Sequence, residues 1–195
     1  MTEVVRIAQP SDLPEIQLLY NQLHSENGLM PLDMQEATAM MYRAFRREGG
    51  ILGVIGEPGD IKAMIFLLIA RQWYTKHHHI EELFNFVRPD MRKSKENYAQ
   101  RLIEFAKKCS DEIGLPLTIG ILTNQRMEGK VRLYQRSLGV PSGAWFVHMP
   151  PNCKWQNEEP NAAFWREPFP KRNRVASGKD LRQLRPTNGT ALMGR

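Results

Sequence analysis

The chain reads as one mixed α/β domain, with an α+β mixed sheet, over residues 1–148, followed by an extended arm over 149–195. Three observations predict this. Apolar residues switch repeatedly between the two-residue spacing of strands and the three-to-four spacing of helices. Glycine, proline and capping residues fall at the switches. After His148 the periodicity stops, and Pro150, Pro151, Pro160, Pro168 and Pro170 punctuate the remaining residues.

Val4 to Ala8 alternates as a short first strand. Pro10-Ser11-Asp12 is a helix-start signal, in which Ser11 or Asp12 can cap and Asp12 and Glu15 complement the positive end of the helix dipole. Leu13, Ile16, Leu19, Tyr20 and Leu23 form the helical stripe, which Gly28 and Pro31 end. Asp33 starts a second helix with Ala37, Met40, Met41 and Phe45 on one face, ending in Arg46-Arg47 before Gly49-Gly50. Ile51 to Ile55 is a strand and Glu57-Pro58-Gly59-Asp60 a hairpin turn. Ile61 to Tyr74 is a long strand whose apolar run, Met64 to Ala70, suits a central position. Thr75 to His79 is expected to be a solvated loop; its three consecutive histidines cannot all face one metal from a single strand, so no metal site is expected.

The chain is organised around the next stretch, Ile80 to Ala106. Ile80 to Val87 reads as a strand leading toward the sheet centre. Arg88-Pro89-Asp90 stops it, because proline cannot donate to a ladder. The basic run Arg92-Lys93-Ser94-Lys95 comes next, then a helix with Tyr98, Leu102, Ile103, Ala106, Cys109 and Ile113 on its apolar face. The first turn of that helix presents backbone N–H groups without intrahelical partners, beside cationic and hydroxyl side chains. Such a mouth fits either a phosphate or an ordinary solvated turn. Gly114-Leu115-Pro116 closes the helix. Leu117 to Leu122 is a strand, about Glu128 to Ser137 a helix, Pro141-Ser142-Gly143 a turn and Ala144 to His148 a last strand.

Composition bounds the rest. Of 195 residues 42% are hydrophobic, enough for a packed core, and no apolar run is long enough to span a bilayer. The opening decapeptide lacks the pattern of a secretory leader, and Cys109 and Cys153 make no disulfide framework, so a cytoplasmic setting is expected. The net charge of +6 is concentrated in the arm, where nine Lys/Arg stand against four Asp/Glu. Trp155, Phe164, Trp165 and Phe169 are unusual for a free tail, so the arm is expected to anchor on a protein partner or a second copy. Nucleic acid is the less favoured partner, because these aromatics are not interleaved as in a stacking platform.

The order of elements, β-α-α-β-β-β-α-β-α-β, resembles the GNAT (Gcn5-related) N-acyltransferases from about Val4 to His148. VVRIAQPSDLPEIQLLY is similar to the family's opening phrase. Val87-Arg88-Pro89-Asp90-Met91-Arg92 resembles its Val-x-Pro-x-x-Arg phrase, and Asn124 and Leu133-Tyr134 resemble its later Asn and Leu-Tyr. The family's pyrophosphate loop is usually Arg-x-x-Gly-x-Gly or Ala; here Arg92 to Asn97 has no glycine, and such variants resemble the GNAT-like proteins of bacteriophages.

The resemblance implies transfer of an acetyl group from acetyl-CoA to an amine. Glu81 matches a position used as the base by some members, with Glu82 on the opposite strand face as the alternative. Tyr134 matches the acid that protonates the leaving thiolate. Phe86 and Val87 would meet the pantetheine arm through their backbone; Arg92, Lys93, Ser94, Lys95 and Asn97 would hold the pyrophosphate, with Asn124 contributing. The alternative is a catalytically silent GNAT-fold adaptor, a virion component docked through residues 149–195 in the host cytoplasm or the particle.

Overall fold

The computed structural model describes residues 3–28, 30–121 and 127–143. Their elements are β1 (Arg6–Ile7), α1 (Leu13–Asn27), α2 (Met34–Phe45), β2 (Gly50–Ile55), β3 (Ala63–Arg71), β4 (His78–Val87), α3 (Tyr98–Ile113), β5 (Leu117–Ile119) and α4 (Met127–Leu138). The strands form one sheet in the order β1-β2-β3-β4-β5. Each neighbouring pair is antiparallel except β4 with β5, which is parallel. The expected strand at 144–148 and the arm at 149–195 lie outside the described residues, as does Cys153.

Two apolar clusters sandwich the sheet. On one face Leu52, Val54, Met64, Phe66 and Phe86 meet Ile16 and Leu19 of α1 and Met41 and Ala44 of α2. On the other, Ala63, Ile65, Leu67 and Ile80 meet Tyr98, Leu102, Ala106 and Cys109 of α3. β3 contributes to both clusters, which is why its sequence is a continuous apolar run. The expected bounds of β3 shrink to Ala63–Arg71. Trp73 and Tyr74 fall beyond it and are exposed.

Helix ends obey the expected chemistry. The Asp33 carboxylate accepts hydrogen bonds from the N–H groups of Gln35 (2.8 Å) and Glu36 (3.1 Å). Asp12 stands at the start of α1, yet its side chain does not cap that helix. It is fully buried, accepts from Gln9 N at 2.8 Å, and takes two guanidinium hydrogen bonds from Arg6 at 2.7 and 2.9 Å. It therefore ties β1 to the start of α1. α3 ends at Gly114, whose φ of +71° is the left-handed stop that glycine adopts without strain.

One expectation is corrected. Only His77 of the three histidines stays in the loop. His78 and His79 open β4, paired with Arg71 and Ala70, and His79 is buried. The strand runs two residues longer than its apolar pattern because β3 supplies pairing partners there.

The feature that positions the site is a bulge. In β4, Phe84 pairs with Phe66 and Glu82 with Leu67, so Leu83 is an extra residue with no partner across the ladder. The bulge exchanges the two faces. Ile80, before it, packs with α3, whereas Phe84 and Phe86, after it, pack with α1 and α2. Pairing with β5 covers only Ile80 to Glu82, so from Leu83 onward this edge of β4 has no neighbouring strand among the described residues.

Candidate active site

Two cavities open along that uncovered edge. The first, about 490 Å³, lies between α1, the start of α2 and the middle of β4, with Tyr20, His24, Glu36 and Phe84 on its wall. The second, about 400 Å³, lies between the end of β4, the start of α3 and α4, with Phe86, Val87, Ala99 and Leu133 on its wall. Asn85, Lys130 and Tyr134 line both, so the cavities meet where α4 crosses β4.

Glu82 stands at this junction, on the wall of the first cavity and only 6% exposed. The Tyr134 hydroxyl donates to its carboxylate, at 2.9 Å from Oε1 and 2.8 Å from Oε2. Burial pushes the Glu82 carboxyl up to about 7, against the opposing pull of the Tyr134 hydrogen bond and the Lys130 charge. Burial, and then the neighbouring Glu82 charge, raise the Tyr134 phenol well above its ordinary range, so it keeps its proton. A carboxyl poised near neutrality in contact with a phenol that stays protonated is an acid–base pair.

The bulge decides which glutamate takes this place. Counted back from Val87 in strict alternation, Glu81 shares the α3 face. The extra residue Leu83 shifts the count by one and gives that face to Glu82. Glu81 pairs with Leu68 and Thr118 and is on the wall of neither cavity.

The second cavity ends at the start of α3. Asn97 precedes the helix in the left-handed region, at φ +51° and ψ +41°, and its side chain makes no capping hydrogen bond. Tyr98, Ala99 and Gln100, whose first-turn N–H groups Asn97 leaves without a side-chain cap, line the cavity. The chain lacks the glycine expected of such a turn. Asn97 supplies the conformation instead, being one of the few other residues that visits this region readily. Asn97→Gly is expected to leave folding intact or stabilise it slightly, whereas Asn97→Val is expected to cost about 1–2 kcal/mol in urea denaturation.

The residues read from the sequence divide accordingly. Phe86, Val87, Arg92, Ser94, Asn97 and Tyr134 come together around the second cavity. Lys93 and Lys95 are exposed and stand off its wall. Asn124 lies outside the described residues. Arg92 is already engaged: its Nε donates to the Val87 carbonyl at 2.9 Å, its terminal nitrogen contacts both Glu26 oxygens at 2.9 and 2.8 Å, and its guanidinium lies 5.1 Å from the Phe86 ring centroid. The Val87 carbonyl is thus occupied by a side chain.

Sequence reasoning missed Asn85 and Lys130. Asn85 lines both cavities with Tyr134 and donates to the Ala99 carbonyl at 3.4 Å. Lys130 sits one turn before Tyr134 on α4, so the (i, i+4) spacing was the signal available. Burial holds its ammonium below the ordinary lysine range, and the Glu82 charge opposes that shift.

No helix of the described residues is long and apolar enough to cross a membrane. No family model matches the sequence, and no curated protein matches it either. Solved structures do resemble it. An acetyltransferase of Trypanosoma brucei superposes over 76% of this chain and 99% of its own, with 19% identity and a TM-score of 0.56. A GNAT family acetyltransferase of Staphylococcus aureus covers 77% of this chain and 100% of its own, at 15% identity and TM-score 0.53. A predicted acetyltransferase of Clostridium acetobutylicum, solved with acetyl-CoA, covers 75% and 96%, at 14% identity and TM-score 0.58. The described residues have the fold of the GNAT acetyltransferases.

Proposed function

We propose that this chain, with that fold, is an N-acetyltransferase that takes acetyl-CoA as donor and an amine as acceptor. The observation that carries the reading is the Glu82–Tyr134 pair at the meeting point of two cavities. One cavity suits each substrate. The second has an uncapped helix start at one end, suited to a pyrophosphate, and an apolar wall of Phe86, Val87 and Leu133, suited to a pantetheine arm. The first has Glu36 on its wall and Glu82 at its inner end, suited to an amine.

The chemistry is a proton circuit. An acceptor amine loses a proton to the Glu82 carboxylate and attacks the thioester carbonyl. The departing thiolate takes a proton from Tyr134, and Glu82 returns one to Tyr134 across their hydrogen bond. The pair thereby finishes each cycle in its starting state once the attacking nitrogen has released its second proton to give the amide. Glu82 replaces Glu81 as base in this reading, because the bulge places Glu82 against Tyr134.

The test is calorimetric titration with acetyl-CoA, beside a variant that fills the second cavity, Ala99→Trp. Saturable binding that the variant abolishes is the expected outcome. Absence of heat at millimolar acetyl-CoA, with the protein shown folded by circular dichroism, would refute the reading.

A further inference from the structure

Lys130 belongs to no ion pair with a described residue, although it lines both cavities. It lies on the same side of α4 as Tyr134, one helical turn away, close enough to Glu82 for each to feel the other's charge. The other lysines near the donor cavity differ: Lys93 and Lys95 are exposed and off the wall. Those of α3 pair on its outer surface, Lys107 with Glu104 and Lys108 with Glu112.

We propose that Lys130 is itself an acetyl acceptor, a self-acetylation site at the junction of the two cavities. The inference rests on the proposed acetyl-CoA activity and goes beyond it. A primary amine at this point shares the wall of the first cavity with the carboxylate that would deprotonate an external acceptor. Burial also disfavours its charged form, which raises the share of nucleophilic neutral amine.

The step balances without an oxidant or reductant. The neutral Lys130 nitrogen attacks the acetyl carbonyl carbon; the N–C bond forms and the C–S bond breaks. Nitrogen releases one proton to the Glu82 carboxylate. The coenzyme A thiolate takes one proton from Tyr134, which Glu82 then restores. The products are acetyl-lysine and the free thiol.

The amide so formed is stable, so it is an end state rather than an intermediate. It removes a positive charge from beside Glu82 and adds bulk where donor and acceptor meet. Acetylated protein should therefore turn over external amines more slowly than unmodified protein.

The experiment incubates the full-length chain with acetyl-CoA and monitors it by intact-mass spectrometry and peptide mapping. A heat-denatured sample, Lys130→Arg and Glu82→Gln run alongside, each native protein also titrated with acetyl-CoA by calorimetry. Expected is one acetyl group at Lys130, gained faster than at Lys93 or Lys95. It should be absent from Lys130→Arg and from the denatured sample, and about 10²-fold slower to form in Glu82→Gln. Binding of acetyl-CoA with Lys130 unmodified, or modified no faster than the exposed lysines or the denatured chain, would overturn this inference alone. No binding at all would overturn the proposed function, and this inference with it.

Discussion

Glu82→Gln is expected to slow acetyl transfer roughly 10²–10⁴-fold, the usual contribution of a positioned general base, while making the protein more stable at alkaline pH. The two effects share one cause. Burial raises the Glu82 carboxyl from 4.5 to about 7 in the folded protein. Between those values the folded state holds a proton that the unfolded chain has released, so Glu82 costs stability progressively as pH rises through that window. Above about 7 the cost levels off, at roughly 3 kcal/mol by the standard conversion of a pKa difference. Glutamine carries no charge and its amide oxygen still accepts from Tyr134, so the variant escapes the penalty. Urea denaturation at pH 5 and pH 8 should show the variant's advantage growing between the two. An advantage of equal size at both would mean that Glu82 does not titrate in this window. The wild-type transfer rate should rise with pH through about 7, and Glu82→Gln should lose that rise.

Glu26→Gln is expected to weaken acetyl-CoA binding and to destabilise the fold by about 1–3 kcal/mol, below the cost of breaking a fully buried ion pair because both partners are partly exposed. The reason is the place Arg92 occupies. Its side chain is 21% exposed and that of Glu26 is 26% exposed. Through these contacts the end of α1 is fastened to the end of β4, and that seam forms one wall of the second cavity. This substitution separates two roles for Arg92. If Arg92 shapes the wall, freeing it from Glu26 loosens the wall and binding falls. If Arg92 contacts the pyrophosphate directly, freeing it leaves binding unchanged or strengthens it. Calorimetry on Glu26→Gln and Arg92→Lys decides between them. Under the first role the lysine variant fails too, because a single ammonium cannot reach Val87, Glu26 and the Phe86 ring together.

The sequence by itself determined the order of elements in the described domain and most of their ends. Helix stripes, Asp33 at a cap, Gly114 at a stop and Pro89 after β4 are local signals, fixed by backbone geometry over a few residues. Tyr98, Leu102, Ile103, Ala106 and Cys109 were legible as one buried face because the helical period alone sets which side chains align, whereas Ile113, expected on the same face, is exposed at the helix end. Resemblance to a family pattern singled out Tyr134 and residues between Phe86 and Asn97, and the fold gathers Phe86, Val87, Arg92, Ser94, Asn97 and Tyr134 around the second cavity. The tertiary structure decided the rest. Whether Glu81 or Glu82 faces α4 depends on an extra residue in β4, and a bulge is a property of two paired strands that one strand's alternation does not record. The Glu82–Tyr134 contact spans 52 positions and the Arg92–Glu26 contact 66. Neither pair has a spacing that points to its partner. Burial raised the Glu82 carboxyl toward neutrality and lowered the Lys130 ammonium, because a low-polarity surrounding penalises either charge, and only the folded chain creates that surrounding.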